Sequence, residues 1–262
     1  MPRASRSLAL VNVIVLGGVL GGLAACGGGG GARPIGSTPP APSGAFTLVP
    51  APEPGPPPAE TLAKLGGSDD ASPICFAWSP RGAVMCDVGS SSIQGGATYA
   101  VRILGQGADD VTYYQSPEDE QFFDVDPAQI DRAALARATA AAQAGDFRGW
   151  NGDPRLDVAI GATTDVAGIT VRRTRTVTGQ DGDEMTGVWD VSKDVIELRC
   201  GDRWVPLALD GDVFGNAVGE PEVTAVRAGS ALLLMASVSW GVEGDSGGGR
   251  DAALIDPAEV CR

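Results

Sequence analysis

Residues 68–262 predict a mainly β domain, an antiparallel sandwich or partial propeller-like fold, stapled by disulfides and carrying one alanine-rich helix. Three observations predict it. Short alternating or β-branched runs recur along the chain, separated by Gly, Pro, Asn and Asp; one segment alone carries helix start and stop signals; and four cysteines stand where such strands can bring them together.

The strand-like runs occupy 75–78, 83–88, 98–104, 111–115, 156–161, 170–177, 188–191, 195–200, 204–209, 223–227, 232–240 and 252–255. Turn residues between nearly all of them favour antiparallel pairing. The helix lies at 127–144. Asp126 precedes Pro127 and stands three residues before Gln129, a capping-box arrangement with proline at the first helical position. Val125 and Ile130 are spaced for a hydrophobic staple, alanine dominates as far as Ala144, and Gly145 supplies the stop. So narrow an apolar face suits packing on the surface of a sheet.

Beyond Cys26 the cysteines are Cys75, Cys86, Cys200 and Cys261, an even number that in an exported chain implies two disulfides. Cys75 and Cys86 flank Ser79-Pro80-Arg81-Gly82, which suits a type I turn. That hairpin brings the two nearly opposite, to within a one-residue bulge. Of the three connectivities that four cysteines allow, the favoured one then joins Cys200 to Cys261 and clamps the C-terminus onto the strand ending at Cys200. No Cys-x-x-Cys occurs, which disfavours a metal cluster or redox dithiol.

The 262 residues include 33 acids, 19 Lys or Arg and no histidine, for a formal charge of −14. The missing histidine removes the commonest general base, the Ser–His and Cys–His nucleophile pairs, and every histidine-ligated zinc or haem. Lys64 and Lys193 are the only lysines, so Schiff-base and phosphate-cradling chemistry is nearly excluded. The acid excess argues against nucleic acid as a partner, because phosphate binding needs clustered Lys and Arg. Residues 68–262 alone hold 31 acids against 15 bases, a charge of −16. Their Asp-Gly, Asp-Pro and Asp-Asp placement reads as solvated turns.

Residues 1–25 read as a processing segment: Arg3 and Arg6 precede an apolar stretch over 8–20, and the stretch closes at Leu23-Ala24-Ala25-Cys26. This closing tetrad resembles the lipobox of bacterial lipoproteins. The resemblance implies that Cys26 is acylated and becomes the first residue of the mature chain, which attaches the protein to a membrane through lipid. The rival, an uncleaved membrane helix, is weakened by four glycines between 17 and 22. Gly27 beside the cysteine supplies no inner-membrane retention signal, so the expected location is the cell envelope at the outer membrane. Residues 26–67 are expected to form a disordered tether, since the 41 residues from Gly27 contain ten glycines and ten prolines.

Gly244-Asp245-Ser246-Gly247-Gly248 resembles the segment around the nucleophile of trypsin-like serine proteases, but that serine needs a histidine to take its proton. The segment is therefore read as a polar hairpin loop between 237–242 and 252–255. The stretch from Asn151 to Gly161 resembles part of a calcium-binding FG-GAP repeat, which makes Asn151, Asp153 and Asp157 the candidate calcium ligands; a plain turn is the preferred reading. Carboxylate pairs are the one hydrolytic route left to a chain without histidine, and Asp153 with Asp157, or Glu243 with Asp245, are the nominees. The function expected is thus a non-catalytic binding or structural module for an envelope protein or glycan, with no cofactor beyond a candidate calcium. A carboxylate-based hydrolase is the alternative.

Overall fold

The computed structural model describes residues 46–66, 73–92, 96–107, 109–116, 125–183, 187–209, 216–217, 220–242 and 245–262. The chain divides into Met1–Pro39 and Pro40–Arg262, and everything described lies in the second unit. The processing segment, Cys26 and the glycine-rich start of the expected tether lie outside the described residues.

The unit is mainly β, as the sequence predicts. In order it runs β1 (Leu48–Val49), α1 (Pro58–Lys64), β2 (Cys75–Ser79), β3 (Ala83–Ser92), β4 (Gly96–Leu104) and β5 (Val111–Gln115). A 3-10 turn at Pro127–Gln129 leads to α2 (Arg132–Ala144), β6 (Arg148–Gly149), β7 (Leu156–Asp157), β8 (Thr163–Val166), β9 (Ile169–Asp183) and β10 (Gly187–Cys200). The chain ends with β11 (Arg203–Pro206), β12 (Asn216–Ala217), β13 (Glu222–Ala228), β14 (Ala231–Val242), β15 (Asp245–Ile255) and α3 (Pro257–Val260).

A curled antiparallel sheet runs β1-β13-β14-β15-β3-β2-β6, with β4 and β5 added beside β3 and β7 beside β13. A second sheet runs β11-β10-β9-β8, with β12 on β10. β3 is central: β4 covers one edge along its length, while the other edge is shared by β2, opposite Ala83–Cys86, and β15, opposite Gly89 to Ser92. Alternate side chains of β3 enter different cores, since successive residues of a strand face opposite ways. Ala83 and Met85 join Phe76, Val101, Tyr113 and the helical residues Leu62 and Leu135, whereas Val84, Cys86 and Val88 join Leu48, Trp150 and Leu233. The apolar run of β14 is explained the same way. Leu232, Leu234 and Ala236 pack toward Val171 and Leu198 of the second sheet, and Leu233 and Met235 pack toward β3.

Both expected disulfides form, Cys75–Cys86 and Cys200–Cys261. Cys75 lies opposite Cys86, and the ladder slips by a residue before Ala77, the bulge that the hairpin arithmetic requires.

Four local expectations change. The helix starts later than predicted: Asp126 caps only the 3-10 turn, Ile130 is extended so that it can bury its side chain, and Asp131 caps α2 by accepting from Ala133 and Ala134 N–H at 2.9 Å. The runs 188–191 and 195–200 are one strand, β10, with a bulge between Val191 and Ser192; cross-strand pairing with β9 holds Ser-Lys-Asp in the ladder where local propensity favours a turn. The run 156–161 shortens to the two residues of β7. Gly-Asp-Ser-Gly-Gly is not a hairpin loop: from Asp245 onward it is strand, with Gly247, Gly248 and Gly249 hydrogen-bonded between β14 and the Ser90-Ser91-Ser92 segment of β3.

The largest change concerns the expected tether, which from Phe46 onward belongs to the fold. Phe46, Leu48, Leu62 and Leu65 are all buried, and β1 pairs with the end of β13. Residues 53–55 then run beside 149–153, with Glu53 N–H donating to the Asp153 carbonyl at 3.0 Å and Gly55 N–H to the Gly149 carbonyl at 3.2 Å. Glycine serves close approach here, not flexibility. A Cβ on Gly149 would stand 2.0 Å from the Pro56 carbonyl oxygen, and one on Gly55 2.5 Å from the Trp150 carbonyl carbon. The composition count missed this because four well-placed apolar residues anchor a segment that is otherwise proline and glycine.

Leu48→Ala is expected to lower unfolding free energy by about 2–4 kcal/mol, read from the urea midpoint, whereas a free tether predicts no change. Gly89, at φ +154°, has the Thr98 carbonyl oxygen 2.1 Å from where its Cβ would lie, while Gly201, at φ +62°, has open space. Gly89→Ala should therefore destabilise clearly more than Gly201→Ala, whose left-handed backbone alone costs about 1 kcal/mol.

Candidate functional site

The strip of glycine and serine across β14, β15 and β3 carries almost no side-chain bulk, and a cavity of about 590 Å³ lies against it. Ser91, Ser237, Gly248 and Gly249 form the sheet side. Tyr99 and Tyr113 extend that wall along β4 and β5, and Pro73, Ile74 and Val125 close it from the loops. Asn151, Asp153 and Arg155 border it from the segment that follows β6.

A charged network stands behind this wall. Asp87 points from β3 with no exposed surface, and Arg250 Nη2 approaches its Oδ2 to 2.5 Å. The Tyr113 hydroxyl donates to Asp87 Oδ1 at 2.9 Å. The Arg250 guanidinium lies 5.4 Å from the centre of the Tyr99 ring, which stacks on Tyr113 at 6.3 Å. A buried carboxylate is tolerated only when it is paired and hydrogen-bonded, so these contacts fix Arg250 in one orientation at the cavity wall. Sequence reasoning missed the network. Its one signal was a lone aspartate inside the apolar run Val84-Met85-Cys86-Asp87-Val88.

Of the three candidate calcium ligands, Asn151 and Asp153 line this cavity and Asp157 does not. Asn151 Oδ1 accepts from Asp153 N–H at 2.8 Å, the side-chain turn that Asn-Gly-Asp encodes, and its Nδ2 donates to Glu53 at 2.9 Å. Asp153 stands 3.7 Å from Arg155 Nε, and its carbonyl accepts from Trp150 Nε1 at 2.8 Å. Asp157 lies on β7 and lines a different cavity, of about 530 Å³, with Arg173, Glu220 and Glu222. Among the described residues no group of three or more Cys, Asp and Glu side chains is placed to hold a metal ion. Asp153 and Asp157, nominated as a carboxylate pair, line different cavities. Glu243 lies outside the described residues, as does the side chain of Asp245.

Two further ion-pair groups brace the sheets. In the second sheet, Asp194 of β10 is held by Arg173 and Arg175 of β9; Arg175 Nε reaches it at 2.7 Å, and Arg173 also donates to the Pro221 carbonyl at 2.8 Å. In the first sheet, Arg102 bridges Asp110, at 2.8 Å, and Asp251, at 2.5 Å. Their titration runs in opposite directions. Burial pushes Asp194 up, but the hydrogen bonds and charges of Arg175 and Arg173 outweigh it and hold the carboxyl below its ordinary value. At Asp251 burial prevails over Arg102, and the carboxyl lies above its ordinary value.

No family model, curated protein or solved structure matches the chain.

A carboxyl depressed by folding stabilises the native state above its unfolded pKa, about 3.9 for Asp, and that contribution disappears as pH falls through the folded value. Asp194→Asn should therefore flatten the acid limb of the stability curve, measured as urea midpoints from pH 6 to pH 2, besides lowering stability at neutral pH. Asp251→Asn has the opposite sign: its ionisation opposes folding above about pH 4, so the variant loses a term that weakens the wild type as pH rises.

Proposed function

We propose that the protein is a lipid-anchored module of the bacterial envelope that binds a small ligand in the cavity beside Arg250 without transforming it. The lipobox-like Leu23-Ala24-Ala25-Cys26 supports the anchor, and the two disulfides suit an oxidising compartment. The observation that carries the binding reading is the cavity itself. Its volume falls in the range of about 300–1,000 Å³ usual for ligand sites, and its polar wall is fixed in advance by the Asp87–Arg250–Tyr113 network.

The lining offers little to a hydrolase. Among the described residues around the cavity the sole carboxylate is that of Asp153, whereas glycoside hydrolysis uses two carboxyls about 5–9.5 Å apart. Trypsin-like chemistry is closed by the absence of histidine. Gly27 beside Cys26 supports the outer membrane as the place of attachment.

Expression of the full chain in a bacterial host tests the anchor. Mass spectrometry of the N-terminal peptide should show acyl chains on Cys26, and Cys26→Ala should move the protein from the membrane to the soluble fraction. An unmodified Cys26 in membrane-associated protein overturns the reading.

A further inference from the structure

The charges at the cavity are matched before any ligand arrives. Arg250 is paired with the wholly buried Asp87, and Arg155 stands 3.7 Å from Asp153. Residues 68–262 carry −16 overall, so an anionic ligand would meet a repulsive field and would have to displace one of these pairs. A cation finds one carboxylate among the described lining residues, the exposed Asp153 beside Arg155, and the Tyr99 ring is already covered by Arg250. A purely apolar ligand would strip water from the two serine hydroxyls and from the Gly248 and Gly249 backbone without replacing its hydrogen bonds.

We propose that the ligand is a short, uncharged oligosaccharide. This rests on the reading of the cavity as a binding site. A sugar's hydroxyls are donors and acceptors at once, as are those of Ser91 and Ser237, and its C–H faces suit Pro73 and the edge of Tyr99. The flat Gly248-Gly249 strip lets a ring lie close to the sheet, where any larger side chain would hold it away.

The test titrates the full chain, purified with its anchor in detergent, against trisaccharides that differ in charge: maltotriose and N-acetylchitotriose (neutral), chitotriose (cationic) and trigalacturonate (anionic). Isothermal calorimetry should show binding of a neutral sugar. Ser237→Leu, which fills the cavity, should weaken it by about tenfold or more, with Ser91→Leu as the second variant and circular dichroism confirming that each is folded. Tighter binding of either charged sugar, lost in the same variants, overturns the ligand class while leaving the cavity as a site. Neutral binding unaltered in both variants overturns the location, and absence of heat with every sugar at millimolar concentration overturns the proposal. Acylation of Cys26 is scored on the same preparations, so failure of the anchor is seen separately from failure of the ligand.

Discussion

Asp87 sits fully buried near the middle of β3, and the geometry of the surrounding sheet answers to its charge. The carboxylate takes a guanidinium from β15 and a hydroxyl from β5, two strands that do not pair with each other. A one-residue slip of either β15 or β5 would turn Arg250 or Tyr113 to the opposite face and leave the charge unmatched. Register in the first sheet is thus tied to electrostatics as well as to apolar burial. The same contact presents Arg250 to the cavity in a fixed pose, so the site and the fold share one interaction.

Around that point the sheet is built from unequal material. The half of β3 that faces β2 is apolar and closed by the Cys75–Cys86 bridge; the half that faces β15 is glycine and serine. Gly89 stands at the change of partner, where the Thr98 carbonyl leaves no room for a side chain. Bulk is absent where the cavity lies and present where the cores lie. The termini of the fold are fastened independently, the N-terminal segment by Leu48 and the Gly55–Gly149 approach, and the C-terminus by Cys200–Cys261.

Signals contained within a few residues were legible. The hairpin at Ser79 to Gly82, its disulfide with the one-residue bulge, the alanine helix with its Gly145 stop, and the antiparallel strands all rest on local turn chemistry and on periods of two or 3.6 residues. Misreadings arose where local preference and tertiary pairing disagree. Ser192-Lys193-Asp194 has turn composition, yet Asp194 lies in β10 because two arginines of β9 meet it there. At Asn151 local preference prevails: its side chain accepts from Asp153 N–H, the plain turn that Asn-Gly-Asp encodes.

By itself the sequence determined the β class and the bridged Cys75–Cys86 hairpin, and it set the expectations about chemistry and export, because each depends on which residues are present or on neighbours along the chain. The tertiary structure alone decided that the proline-rich segment from Phe46 is folded, that the glycine run is a strand, and that Asp87, Arg250 and Tyr113 meet. These outcomes depend on partners far apart in sequence. Asp87 and Arg250 are more than 160 residues apart, and only the antiparallel path β14-β15-β3 makes them neighbours.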